Sequence, residues 1–179
     1  MAFKCGDNKA ARMGRLTMNP FAHLDMMGSM MILFVGFGWA KPVPVDSRLL
    51  RNSRTDMMKV AAAGPIANLL LAMVSGLLFR LLNPSGILPE SIAILIYYFT
   101  RINITLAVFN LIPVAPLDGS QIFSGYLMKH NPQLAWKIQS FGPQVLFGLI
   151  LFGYITGFSI LWLIMSPFVN FFMILFAGM

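Results

Sequence analysis

A carboxylic acid closes one of the long apolar stretches of this chain. Residues 110–119 have the sequence NLIPVAPLDG, so two prolines, an acid and a glycine follow directly on apolar sequence. A carboxylate at the end of a membrane-length segment is costly and rarely lacks a function. Asp118 is therefore the first candidate for a chemical role, and the rest of the chain is considered as the scaffold that positions it.

The composition is that of a polytopic membrane protein. Of the 179 residues, 58% are hydrophobic and only 11% are charged, whereas a water-soluble domain carries about a quarter charged residues. The net charge of +7 does not indicate nucleic-acid binding, because the Lys and Arg residues lie in loops between apolar runs, as in cytoplasmic loops of membrane proteins. At this length we expect a single domain, residues 1–179, embedded in the membrane.

Apolar runs predict about four transmembrane helices. Residues 57–83 and 92–112 are two spans, and we expect residues 143–156 and 158–178 to form a helical hairpin rather than one kinked pass. The apolar run 28–38 is too short to span and favours a re-entrant or interfacial position. The two prolines of residues 41–45 predict an extended or edge-strand segment. The expected fold is thus an all-α polytopic membrane protein with a short re-entrant or extended surface segment near residues 28–50.

The first span carries a stripe of small residues. Gly64, Asn68, Ala72 and Gly76 recur every four residues, which puts them on one face where another helix can approach closely. Pro65 lies inside this helix, and such a break is tolerated in membranes when neighbours satisfy the freed carbonyl. The Asn68 side chain is explained equally by an interhelical hydrogen bond or by a role in a site.

The second span contains three polar residues that need partners. Asn103 and Asn110 are two turns apart and share a face. A central arginine is costly, so we expect Arg101 either to extend to the nearer head groups or to pair with a carboxylate. Pro113 and Pro116 end the helix, and the backbone up to residue 119 is expected to be extended.

The charge distribution predicts the topology. Residues 1–56 and 120–141 are basic, and the loop at 84–91 is not. Two spans between the basic regions place both on one side, which the positive-inside rule makes cytoplasmic. Residues 1–25 contain no recognisable signal peptide. The single cysteine, Cys5, excludes an internal disulfide.

Three sequence blocks together resemble the site-2 protease family of intramembrane zinc metalloproteases, in its compact bacterial and archaeal branch. The first is GRLTMNPFAHLDMMGS (residues 14–29) followed by GFGWAKPVPVDSRLLRNSR (36–54). The second is AGPIAN (63–68), and the third is FNLIP (109–113) followed by PLDG (116–119). Any one block is weak, but their order and spacing match the family over nearly the whole chain.

The resemblance implies a zinc enzyme that cleaves transmembrane helices of substrate proteins within the bilayer, in a prokaryotic cell membrane. One zinc ion would be held by two His of an HExxH helix and by Asp118, the acid of the PLDG block. Asn68 and Asn110 become candidates to bind the substrate backbone or the developing oxyanion. The expected structural supports are Gly64, Pro65, Pro113, Pro116 and Gly119. The implied partners are a transmembrane protein substrate and the lipid bilayer, and no nucleic acid.

The sequence departs from the family in one respect, because it contains no HExxH. Its only histidines are His23 and His130, and His23 matches a family residue that is not a zinc ligand. In the family the HExxH helix ends just before a stretch resembling residues 1–7, so the resemblance places the missing motif upstream of Met1. No catalytic Glu of that motif is therefore expected within residues 1–179.

Three hypotheses remain. In the first, the chain begins at an internal Met and the whole protein is a protease. In the second, the short chain is an inactive homologue that binds membrane helices, because Asp118 alone cannot hold zinc usefully. In the third, the chain is a small channel or transporter subunit whose polar path is lined by intramembrane residues: Asn68, Arg101, Asn103, Asn110 and Asp118.

Overall fold

A computed structural model describes residues 1–17, 19–35, 38, 40–41, 43–83 and 86–178. It divides into two compact units, Met1–Met57 and Met58–Met179. Seven α-helices are found in the described residues: α1 (Lys9–Arg12), α2 (Met26–Val35), α3 (Ser53–Leu82), α4 (Glu90–Asn110), α5 (Asp118–His130), α6 (Pro132–Thr156) and α7 (Ile160–Ala177). Helices α3, α4, α6 and α7 are long and apolar enough to cross a membrane. The prediction of an all-α protein with four spans is confirmed.

The Asp7 carboxylate connects the two ends of the first unit. Asp7 is almost fully buried. One of its oxygens accepts a hydrogen bond from the Lys9 amide at 2.8 Å, and the other accepts one from the Asp46 amide at 2.8 Å. These backbone N–H groups, that of Asp46 first, hold the pKa of the Asp7 carboxyl below its ordinary value. Because residues 7 and 46 are far apart in sequence, this acid fixes the path of the chain around the unit.

The surface segment of the first unit is partly helical. The apolar run predicted at 28–38 forms α2, Met26–Val35, while residues 36 and 37 lie outside the described part. No strand forms in the described residues of 41–45, where Pro42 is not described. An isolated antiparallel bridge joins Leu24 to Ala40, and the Lys41 amide donates to the His23 carbonyl at 2.9 Å. In the described residues, backbone pairing of this segment is therefore limited to this short bridge.

Three of the long helices build the core of the second unit. Helix α4 packs along α7, and the buried cluster also includes Ala72 and Phe79 of α3. The small-residue stripe on α3 acts as expected. Ala72 is fully buried, and a Cβ added to Gly76 would lie 2.8 Å from the Phe176 Cβ of α7. Close helix approach therefore depends on these small side chains.

Helices α5 and α6 form an antiparallel hairpin. The two helices meet at Asn131-Pro132, where the Asn131 side chain accepts a hydrogen bond from the Leu134 amide at 3.0 Å and Pro132 starts α6. These residue types are typical of the N-cap and of the first helical position. Helix α6 ends at Gly157, whose φ of 71° is left-handed, and α7 follows. The predicted hairpin of the last two spans is confirmed.

Candidate metal centre

Asp118 is the first residue of α5, after a tight connection from the end of α4. Leu117 is extended, with φ −70° and ψ 154°, and the Ser120 amide then donates to the Leu117 carbonyl at 3.0 Å. The prediction that the backbone is extended up to residue 119 is therefore wrong, since the helix begins at Asp118. An acid in the first turn suits the positive end of the helix dipole, which favours this start.

Two glycines lie in close contact at the position of the acid, and one of them cannot carry a side chain. A Cβ added to Gly119 would approach the Leu111 and Ile112 carbonyl oxygens to 2.4 Å, which no side chain tolerates. A Cβ added to Gly64 on α3 would lie 3.1 Å from Asp118 Oδ2. The Asp118 carboxylate thus lies directly over the bare backbone of Gly64, and the AGPIAN and PLDG blocks meet at this point.

The Asp118 carboxylate has no hydrogen-bond or ion-pair partner within the residues that the structure describes. The side chain is partly buried, and this burial raises the pKa of the Asp118 carboxyl. A partly buried acid without a donor or cation costs free energy. A metal ion would supply the missing positive charge, so the position fits a carboxylate ligand of zinc, which such sites commonly include.

The loop before Asp118 is held from the other side by α6. A Cβ added to Gly142 would lie 2.5 Å from the Ala115 nitrogen and 2.9 Å from its oxygen. Leu117 also packs with Leu146 of α6 and Leu161 of α7 in a small buried cluster. The sequence analysis did not identify Gly142, since a glycine inside an apolar helix carries no signal for a contact 27 residues away.

Of the three prolines predicted as supports, one lies inside α3 and two lie in the loop before Asp118. Pro65 is buried inside α3, and α3 continues through it. Pro113 and Pro116 are exposed in the connection that follows the end of α4 at Asn110. Because neither proline has a backbone donor, α4 cannot continue through this connection.

The two candidate asparagines differ in their bonding. Asn110 donates one amide hydrogen to the Leu106 carbonyl of its own helix at 3.0 Å. The side chain of Asn68 is partly buried and makes no hydrogen bond to any part of the chain that the structure describes, so the expected interhelical bond is not found there. Each side chain keeps at least one N–H available, which is what a ligand of substrate carbonyl groups needs.

Neither histidine belongs to a group of metal-binding side chains in the described residues. His130 ends α5, twelve residues after Asp118, which is about 18 Å along a helix. His23, in the other unit, has its Nε2 atom 3.0 Å from the Thr17 carbonyl oxygen. No group of three or more His, Cys, Asp or Glu side chains able to hold a metal is found in the described residues. Asp118 is thus a single ligand within this part of the chain.

Two further polar residues of α4, Arg101 and Asn103, are engaged within or between helices. The Arg101 guanidinium donates to the Tyr97 hydroxyl at 2.7 Å and lies 5.8 Å from the centre of the Trp162 ring. Buried Asn103 donates to the Phe99 carbonyl at 2.8 Å. Arg101 is therefore stabilised by an aromatic pair instead of a carboxylate, and these contacts give no support to a polar path.

Together, the four apolar helices indicate an integral membrane protein, and Asp118 is its candidate metal ligand. Comparison with known proteins identifies the family. Residues 85–153 match the model of peptidase family M50. YwhC of Bacillus subtilis, named as a candidate zinc metalloprotease, is 37% identical over 169 residues, covering 90% of this chain and 75% of YwhC. The chain belongs to the M50 peptidases, the site-2 protease family, whose members are zinc metalloproteases.

Two further relatives match over shorter stretches. MJ0611 of Methanocaldococcus jannaschii is 38% identical over 80 residues, covering 45% of this chain and 37% of MJ0611. Rip3 of Mycobacterium tuberculosis is 34% identical over 74 residues, covering 41% of this chain and 18% of Rip3. Both are also named as candidate zinc metalloproteases. No solved structure matches the chain.

Proposed function

We propose that this chain provides the acidic zinc ligand and part of the substrate site of an intramembrane metalloprotease, which hydrolyses peptide bonds in transmembrane substrates. The observation that carries the proposal is the Asp118 carboxylate, which lies over the bare backbone of Gly64 and has no partner among the described residues. The close approach at Gly119 fixes the backbone next to this acid, and the one at Gly64 lies against its carboxylate. The M50 family implies zinc as the cation that binds this carboxylate, and we propose that one zinc ion is bound.

Three residues of the chain would have separate roles in the site. Asp118 would hold the zinc, which when bound makes water acidic enough to act as a nucleophile and polarises a carbonyl oxygen. The free amide hydrogens of Asn68 and Asn110 would donate to the substrate backbone or to the carbonyl oxygen that gains negative charge. Because extended peptide substrates carry unpaired carbonyl groups, two such donors would also select for an unwound stretch of a membrane helix.

The HExxH motif that would supply the other two ligands and the general base is not among residues 1–179, whose only histidines are His23 and His130. A second candidate function is an inactive homologue that binds membrane helices without cleaving them. The coding sequence upstream of the Met1 codon distinguishes the two. An in-frame HExxH there supports the protease, and a stop codon without such a motif supports the inactive homologue.

We further propose that the protein lies in the prokaryotic cell membrane with its basic loops in the cytoplasm. The basic residues of 1–56 and 120–141 support this orientation, since Lys and Arg near membrane spans are retained on the cytoplasmic side. Helix α3 would then run outward and α4 inward. A cysteine-labelling experiment on each loop, with a membrane-impermeant reagent in intact cells, tests this orientation.

The function is tested by cleavage of a transmembrane substrate by the complete reading frame in proteoliposomes. Asp118→Asn keeps the size of the side chain but removes its charge, and we expect it to abolish cleavage. Glu90→Gln is the matched control, since Glu90 is the only other acid after residue 57, and we expect it to retain cleavage. Full activity of Asp118→Asn would rule out the ligand assignment.

A further inference from the structure

An apolar cavity lies between the first turns of α6 and the loop that leads to Asp118. It has a volume of about 240 Å³. Its walls include Pro113 and Val114 of the loop, and Lys137, Phe141 and Val145 of α6. The three α6 residues follow each other at intervals of four, so they lie along one face of the helix. The proposed zinc chemistry uses none of these side chains.

The cavity is long and narrow. Eight residues separate Lys137 from Val145, which corresponds to about 12 Å along α6. A volume of about 240 Å³ over this length gives a mean cross-section of about 20 Å², which is close to that of one extended hydrocarbon chain. A peptide helix, about 10–12 Å in diameter with its side chains, does not fit in this space. The shape therefore favours an acyl chain.

A cation without an anionic partner lies at one end of the cavity. Lys137 is exposed and forms no ion pair within the residues that the structure describes. The sequence contains no acid after Asp118, and Lys137 is its last charged residue. The chain beyond Asp118 thus supplies no carboxylate for this ammonium group, and an anion from the surroundings can pair with it without competition from that part of the protein.

The order of residues along α6 matches the order of groups in a phospholipid. Exposed Trp136 precedes Lys137, and both residue types are typical of the head-group level at the end of a span. Phe141 and Val145 follow about one and two turns further along the helix, in a stretch without charged residues. Because Lys137 and these two residues share one face of one helix, a single lipid molecule can contact all three.

We propose that this cavity binds one anionic phospholipid. The lipid phosphate pairs with the Lys137 ammonium group, and the start of one acyl chain lies between Phe141 and Val145 on one side and the loop on the other. A zwitterionic lipid carries the same phosphate, but its own ammonium group competes with the lysine, so an anionic lipid binds more tightly. The site belongs to the second unit alone and is independent of zinc.

The bound lipid also supports the loop that ends at Asp118. The acyl chain contacts Pro113 and Val114, and the Val114 carbonyl accepts a hydrogen bond from the Leu117 amide at 3.0 Å. An occupied cavity therefore holds the turn that this bond closes, one residue before the acid.

The first test uses the purified full chain in mixed micelles that contain phosphatidylglycerol and phosphatidylcholine with identical acyl chains. Native mass spectrometry counts the bound molecules of each lipid. We expect one tightly bound lipid, with phosphatidylglycerol favoured about fivefold, the ratio that a single lysine near an anionic head group supplies. Lys137→Gln should bring this ratio close to one, and Lys137→Arg should keep it. Val145→Phe should fill the cavity and remove the bound lipid.

Two variants are matched controls, and both should keep the bound lipid and the preference. Lys129→Gln removes an exposed lysine of the same hairpin that is not one of the described residues lining the cavity. Val74→Phe enlarges an exposed valine on α3. Equal binding of the two lipids by the wild type, or a preference that survives in Lys137→Gln, would overturn the proposal. So would loss of the preference in Lys129→Gln, which would indicate a general attraction to basic residues.

Hydrogen exchange of the Leu117 amide tests the contact with the loop. If the lipid binds only while the loop is closed, the binding preference also appears in the opening equilibrium. The wild-type amide should then exchange about fivefold more slowly in phosphatidylglycerol than in phosphatidylcholine, and Lys137→Gln should show equal rates. Equal rates in the wild type would overturn the placement of the lipid against the loop. Release of the lipid by an uncharged transmembrane peptide would assign the cavity to a protein segment instead.

Discussion

The contact between Gly142 and Ala115 predicts that the loop before Asp118 cannot tolerate a methyl group on α6. In Gly142→Ala the new Cβ would lie 2.5 Å from the Ala115 nitrogen, 2.8 Å from its Cβ and 2.9 Å from its oxygen. Ordinary carbon contacts are about 3.5–4.0 Å, so the helix or the loop has to move by up to about an ångström. The Ala115 atoms that the new methyl group would meet are backbone atoms or a Cβ, which cannot move to another rotamer as the end of a long side chain can.

The magnitude follows from a matched substitution on the same helix. A Cβ at Gly148 meets nothing within 4 Å, so Gly148→Ala isolates the gain in helix propensity, about 0.8–1.0 kcal/mol. Gly142→Ala has the same gain but also the cost of overpacking, about 1–3 kcal/mol. The difference in unfolding free energy between the two variants should therefore be about 1–3 kcal/mol, with Gly142→Ala the less stable.

Reversible unfolding in mixed micelles measures that difference, and zinc affinity of the complete protein reports on the site. Because the displaced loop leads directly to the metal ligand, we expect Gly142→Ala to lower zinc affinity by about tenfold, in the range seen when the support of a ligand is disturbed. Gly148→Ala should leave the affinity unchanged. Equal stability and equal zinc affinity of the two variants would refute the reasoning.

Two further predictions concern the framework. Asp7→Asn should loosen the first unit, and hydrogen exchange of the Asp46 amide should accelerate. Folding lowers the pKa of Asp7, so the Asp7 carboxylate stabilises the fold above the ordinary pKa of an aspartate, and this stabilisation is lost as the pH falls through the lowered value. The exchange rate of the wild type should therefore become equal to that of the variant only in acid. A difference in exchange rate that persists unchanged at low pH would contradict this. Ser75→Ala removes the 2.8 Å hydrogen bond between the Ser75 and Thr100 hydroxyl groups, and it should lower the unfolding free energy by about 0.5–1.5 kcal/mol. The Gly148→Ala control should not lower it. A double-mutant cycle with Thr100→Val that shows no coupling would contradict a stabilising role for this bond.

The four spans could be predicted because they depend on local pattern. Apolar length and the spacing of small residues on α3 can both be read from the sequence of a single helix, and both predictions are confirmed. The start of α5 was predicted wrongly, because Pro116 suggested extended backbone while the first-turn acid and the Leu117 carbonyl allow a helix to begin at Asp118.

The sequence does not show which residues that are far apart in the chain come into contact. Gly142 is one of several glycines in apolar helices, and only the packing of α6 against the loop shows that this one has no room for a side chain. In the same way, Arg101 needed a partner, but nothing in the pattern chose Tyr97 and Trp162 over a carboxylate.

The most direct test of the central claim, that the Asp118 side chain binds zinc, is X-ray absorption spectroscopy of the zinc-loaded complete protein carrying Asp118→Cys. A thiolate bound to zinc scatters at about 2.3 Å, whereas oxygen and nitrogen ligands lie near 2.0–2.2 Å. Glu90→Cys is the control for an added thiol, and the wild type accounts for the native Cys5. We predict a sulfur shell in Asp118→Cys alone; a zinc spectrum identical to that of the wild type would contradict the assignment.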